Sequence, residues 1–402
     1  MAKNSMAALH KKIILAGIIA IVVTVLISIV IFSDTLQGNI IKVSSEDFQL
    51  YKNQPYPVQI IQNCHDEMHC AVNAMQSISE NENKEKVIST FKELVSLYDQ
   101  NLPCHETAHH LGMWLYGYLK DVDKSLELAQ QQCGGSVYHG VIQNYILTQK
   151  FHGTNLNDIE IHLICKNESE NPYSIDHWQC LHGLGHGLAE LYDYNILDAV
   201  KRCDEFLESI EQISCSKGVF MQNVVHYFET KKGDFDSSDK YYPCNAVDSK
   251  YSPTCYHYHV TYLGLLNQQK LKKTFDDCDG IVPEEMIKYC YYGFGRQLSG
   301  NIKSIDDALF LCKSGKITEY HKFCLTGMVM TLVNGNKNPD LGFSFCSHLS
   351  QEYKESCYDG LGKWVKMLYF DPAKREKQCA KSENTEFVQV CTNASLDDIK
   401  LL

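Results

Sequence analysis

A period of about 34 residues in the cysteines constrains this chain more than any other feature. Cys133, Cys165, Cys203, Cys244, Cys278, Cys312, Cys346 and Cys379 are separated by 32, 38, 41, 34, 34, 34 and 33 residues. Cys180, Cys215, Cys255, Cys290, Cys324, Cys357 and Cys391 form a second series, at 35, 40, 35, 34, 33 and 34. A spacing held over most of a chain marks an array of one supersecondary unit. Eight residues before the first-series cysteines stand Ser125, Asn157, Asn195, Asp236, Lys270, Ser304, Asn338 and Asp371. All but Lys270 carry a side-chain oxygen that can accept from the free N–H groups of a helix start. Each first-series cysteine is thus expected about two turns into a short helix, as in NILDAVKRC (195–203) and SIDDALFLC (304–312). The second series opens another pattern, CLHG at 180, CSKG at 215, CYYG at 290, CLTG at 324 and CYDG at 357, each leading into an apolar, aromatic-rich run. Glycine at a fixed place in every unit marks a close approach of two backbones. That packing must offset its helix-propensity cost of about 1 kcal/mol.

Each unit is therefore a short helix A, a loop, a longer helix B and a second loop. Joining each A cysteine to the next B cysteine closes seven short loops: Cys165–Cys180, Cys203–Cys215, Cys244–Cys255, Cys278–Cys290, Cys312–Cys324, Cys346–Cys357 and Cys379–Cys391. Each closure contributes on the order of 2–3 kcal/mol by restricting the unfolded chain. Cys64, Cys70, Cys104 and Cys133 remain. Residues 57–79 read as one amphipathic helix, whose rise sets Cys64 and Cys70 about 9 Å apart. That is too far for a mutual bond, so these two are predicted to pair with Cys104 and Cys133. The fold class expected for residues 57–402 is all-α: a right-handed α-solenoid of about nine disulfide-stapled helix-turn-helix repeats. In repeat length and layout it resembles tetratricopeptide-type solenoids. The resemblance is architectural, because the Trp, Gly, Tyr, Ala and Pro signature of that class is absent.

The cysteine count agrees with the N-terminus. Residues 13–32 are apolar apart from Thr24 and Ser28, long enough for a transmembrane helix. Lys3, His10, Lys11 and Lys12 precede this run, which places residues 1–12 in the cytoplasm. The run is long for a signal peptide and no A-x-A-like site follows it, so an uncleaved anchor is expected. Residues 33–56, with NQPYP, read as a juxtamembrane linker. The remainder then lies in an oxidising, extracytoplasmic space where an even set of 18 cysteines can stay paired. Asn167 (NES) and Asn393 (NAS) are candidate glycosylation sites. A net charge of −12 argues against nucleic acid as a partner.

The chemistry-bearing residues follow the same register. Cys104 and Val137 serve as origins for the first two B helices. Position two after the origin holds Glu106, His139, His182, Lys217, His257, Tyr292, Thr326 and Asp359. Position six holds His110, Gln143, His186, Met221, Thr261, Arg296, Met330 and Lys363. Positions four apart share a helical face. Glu106, His110, His139, Gln143, His182 and His186 are thus expected to form one local polar patch, with His257 a further binding candidate. Neutral imidazoles suit zinc, copper or iron, which makes His105, His109, His110, His139, His182 and His186 the candidate metal ligands. HETAH at 105–109 matches the H-E-x-x-H pattern, in which both histidines bind zinc and the glutamate, here Glu106, is general base. Gly112 also fits the longer form of that pattern, but Leu115 stands where its third histidine belongs. The 24 tyrosines suit a binding surface. The expected role is a membrane-anchored repeat protein that binds or scaffolds a protein, peptide or glycan and is not an enzyme. The alternative is a metal-binding protein, with a zinc-dependent hydrolase as its enzymatic form.

Overall fold

The computed structural model describes residues 55–64, 67–101, 104–129, 132–154, 159–165, 173–336 and 339–396. The expected cytoplasmic tail, the apolar run 13–32, all but the last two residues of the linker, and Asn167 lie outside these residues. Among the described residues, no helix is long and apolar enough to cross a membrane. The residues from Tyr56 onward form one unit.

That unit is helical throughout, and an isolated bridge between Asp236 and Asp239 is the sole β pairing among the described residues. It opens with α1 (Tyr56–Cys64), α2 (Met68–Asn81) and α3 (Lys84–Asn101). Longer and shorter helices then largely alternate: α4 (His105–Leu119), α5 (Val122–Leu128), α6 (Ser136–Phe151), α7 (Ile161–Ile164), α8 (Ile175–Leu191), α9 (Ile196–Lys201) and α10 (Ser209–Thr230). After these come α11 (Ser252–Leu266), α12 (Leu271–Asp279), α13 (Ile287–Leu298), α14 (Ile305–Cys312), α15 (His321–Asn336), α16 (Pro339–Ser347), α17 (Gln351–Leu368), α18 (Pro372–Cys379) and α19 (Thr385–Asn393).

The predicted caps hold in part. Asn195, Ser304 and Asp371 cap α9, α14 and α18 by accepting from Asp198, Asp307 and Ala373 N–H. Lys270 stands at the cap position of α12 without a side-chain bond. Ser125 lies inside α5 instead: Asp121 caps that helix, and the buried Ser125 hydroxyl donates to the Asp121 carbonyl at 2.6 Å. Asp236 starts no helix; its carboxylate closes a turn by accepting from Ser238, and Cys244 sits among turns. Asn157 and Asn338 lie outside the described residues.

All seven local bridges are formed, with Cα–Cα separations of 5.3 to 5.8 Å. The remaining four cysteines pair differently from expectation. Cys64 bonds Cys70, and Cys104 bonds Cys133. Residues 57–79 are not one helix. α1 ends at Cys64 and α2 begins at Met68, which brings the Cα atoms of Cys64 and Cys70 to 5.4 Å.

The long helices α4, α6, α8, α10, α11, α13, α15, α17 and α19 pack side by side in chain order. The recurring glycine explains how closely. A Cβ on Gly218 would lie 1.9 Å from the His182 carbonyl oxygen, and one on Gly185 would lie 2.1 Å from that of Cys215. α8 and α10 thus touch backbone to backbone in both directions, where no larger residue fits. The array also curves back. The 132–135 turn, with Cys133 and Gly134 at φ 55° and 67°, packs against α15. Asp99 holds that turn by accepting the Cys133 N–H at 2.6 Å. The row of long helices therefore bends around its own interior.

Candidate metal centre and enclosed cavity

Because residues four apart share a face, positions two and six of α6 and α8 point together into this interior. They do not form an open patch. His139, Gln143, His182 and His186 are 2%, 3%, 4% and 2% exposed. α6 and α8 bring the rings of His139, His182 and His186 to 4.8, 5.3 and 5.0 Å between centroids. One ligand nitrogen from each lies within 4.8 Å of the others.

One nitrogen of each ring is engaged. His139 Nε2 donates to Gln179 Oε1 at 2.8 Å, and His186 Nδ1 donates to Gln222 Oε1 at 2.7 Å. Gln222 cannot turn its amide round, because its Nε2 donates to the Glu190 carboxylate at 2.9 Å. Gln143 donates to the same carboxylate. His182 Nε2 lies 3.4 Å from the Met221 sulfur. These contacts occupy one nitrogen of each ring, and Gln222 fixes the His186 tautomer. They leave His139 Nδ1, His182 Nδ1 and His186 Nε2 as lone pairs, all three buried and without a hydrogen-bond partner. A buried lone pair without a partner is costly, and this one group of packed rings carries three.

Burial keeps these rings neutral. It depresses His139 and His182 well below the ordinary histidine range, and neighbouring imidazoles add to the shift. Burial pushes His186 down to about 4, against the opposing bond to Gln222. The rings are therefore in the form that binds a metal.

The other predicted residues surround this group without joining it. His109 packs 5.5 Å from His186, and its Nε2 is also buried without a partner. His105 stacks edge-on 5.6 Å from His139, and its Nδ1 is 2.6 Å from the Ser136 hydroxyl. His110 is half-buried and bonds the Glu106 carbonyl at 3.0 Å, while Glu106 is exposed. The close trio thus draws on α6 and α8 and on neither histidine of HETAH. His257 is buried elsewhere, where it accepts from Arg296 and packs 5.0 Å from Tyr292.

Two cavities flank the histidines. One of about 120 Å³ is lined by Glu106, His109, His186 and Glu190 among others. A larger one of about 420 Å³ is lined by His139, His182, Lys217, Tyr292 and Arg296, with Trp178, Tyr258 and Trp364. Lys217, Met221, Tyr292 and Arg296 occupy positions two and six of later units. The register names them, but nothing in it shows that they face the histidines across one space. Gln179, Gln222 and Glu190 fall outside both positions and leave no mark in the pattern. No protein-family model matches the chain, and comparison with curated proteins and with solved structures finds no match either.

Proposed function

We propose that this chain is a membrane-anchored, extracytoplasmic α-solenoid that holds one transition-metal ion, zinc or copper, on His139, His182 and His186. The observation that carries the reading is the convergence of three buried imidazoles whose free nitrogens have no partner. Gln179 and Gln222 supply the outer hydrogen bonds that orient liganding histidines and raise their basicity. Nitrogen donors suit zinc and copper, and the thiols are all committed to disulfides among the described residues. Three protein ligands leave a fourth position open to water or a small molecule. The open-surface scaffold gains no support from His139, Gln143, His182 and His186, since those side chains are buried. A zincin mechanism gains none either, because His105 is tied to Ser136 and lies outside the trio. The apolar run 13–32 supports the anchor, and the nine disulfides support an oxidising location.

Elemental analysis of the untagged full chain, purified in detergent, tests the reading. One equivalent of zinc or copper is expected, with at least tenfold weaker retention in His139→Ala and His182→Ala. Glu106→Gln should keep its metal. Absence of metal even after titration with zinc and copper salts, or unchanged retention in both alanine variants, would overturn it. Extraction at alkaline pH tests the anchor: the chain should stay with the membrane.

A further inference from the structure

The side of the large cavity lined by Lys217, Tyr292 and Arg296 presents a second problem. Lys217, on α10, is 1% exposed, and its Nζ has no hydrogen-bond partner. Its ammonium lies 5.6 Å from the centre of the Trp178 ring. Arg296, on α13, lines the same cavity, with its guanidinium 5.3 Å from the Tyr258 ring centre. The Tyr292 hydroxyl, one turn before Arg296, is buried without a partner. Among the described residues that line this cavity, none is Asp or Glu. Buried charges are normally paired, because desolvation of a lone cation is expensive. Here the buried Lys217 and the half-buried Arg296 line one cavity with no acidic group to balance them. Burial, reinforced by the Arg296 charge, holds Lys217 well below the usual lysine range, which is the response of a cation lacking its counterion.

We propose that this side of the cavity binds a small organic oxyanion, a carboxylate or phosphate ester, between Lys217, Arg296 and Tyr292. The guanidinium fork matches two oxygens of such a group. The Lys217 ammonium adds a point charge, and the Tyr292 hydroxyl one more donor. Trp178, Tyr258 and Trp364 form apolar walls for the body of the ligand. A volume of about 420 Å³ lies in the range of small-molecule sites. The site uses none of the three proposed metal ligands, so it stands or falls apart from that reading.

Isothermal titration of the full chain with phenyl phosphate, benzoate, inorganic phosphate and neutral benzyl alcohol tests it, run in parallel with a chelator and with added zinc. Phenyl phosphate or benzoate should bind, the anion should bind at least tenfold more tightly than the alcohol, and Lys217→Met should weaken it at least tenfold. Lys217→Met replaces an unpaired cation by an apolar chain of similar length, so it should melt no lower than the natural protein. Arg296→Gln gives a second, independent loss. Binding of inorganic phosphate alone would show a simple anion site and overturn the organic-ligand class. Equal binding of the alcohol, undiminished binding in both variants, or binding that vanishes with chelator but persists with metal, would overturn the cavity site.

Discussion

His259 shows how burial of a single side chain couples the fold to pH. Its Nε2 donates to the Lys240 carbonyl at 2.6 Å, and burial pushes its pKa down to about 4. In the unfolded chain a histidine takes its proton near 6.5. Above that pH neither state is protonated and the stability is complete. Between about 6.5 and 4 the unfolded chain binds the extra proton, so stability falls as pH falls, by about 3 kcal/mol in total. Urea unfolding of the natural protein and His259→Gln at pH 7 and 4.5 should show a smaller acid loss in the variant. Gly218 makes a steric point of the same kind. Its missing Cβ leaves room for the His182 carbonyl, so Gly218→Ala should cost about 3 kcal/mol, the upper end of overpacking penalties. The fall in melting temperature measures it. The same contact accounts for two of the three glycines around His182 and His186: Gly183 packs on His139 and Gly185 on Cys215.

At the scale of elements, the short helices depend on caps and staples more than on their own length. α9 has six residues, far fewer than an isolated helix needs in water. Asn195 caps it, and Cys203–Cys215 ties its end to α10. Asn195→Ala should therefore cost about 1 kcal/mol, read by chemical denaturation. The first element pair makes a covalent prediction. Peptide mapping without reduction should recover Cys64 joined to Cys70, and Cys104 joined to Cys133. A Cys64–Cys104 or Cys64–Cys133 peptide would show instead that α1 and α2 belong to one continuous helix. The sequence misjudged this pair because amphipathic periodicity runs through residues 57–79 with no Pro or Gly after Pro57 to announce a break.

Over the whole molecule, the long helices bend around a common interior, which converts a periodic row of side chains into facing walls. The proposed ion links α6 to α8, the two helices that carry its ligands. A ligand that binds only the folded state stabilises it by about 4 kcal/mol at a thousandfold excess over its dissociation constant. Chelation of the proposed ion should then lower the melting temperature of the natural protein and leave that of His139→Ala nearly unchanged. Differential scanning calorimetry with and without chelator compares the two.

The repeat, the A and B helix types and the seven local bridges were legible in the sequence, as was the grouping of positions two and six on one helical face. They depend on contacts within one unit or between adjacent units, and such contacts recur with the period. The tertiary structure alone decided what those positions face. The later entries at positions two and six, Lys217, Tyr292 and Arg296, read in sequence as the end of a local histidine patch. They line the same cavity as His139 and His182. Curvature is the physical reason: the row of helices bends until the 132–135 turn meets α15. No single repeat encodes that bend, and the side chains that orient the histidines, Gln179 and Gln222, become partners only once it is complete.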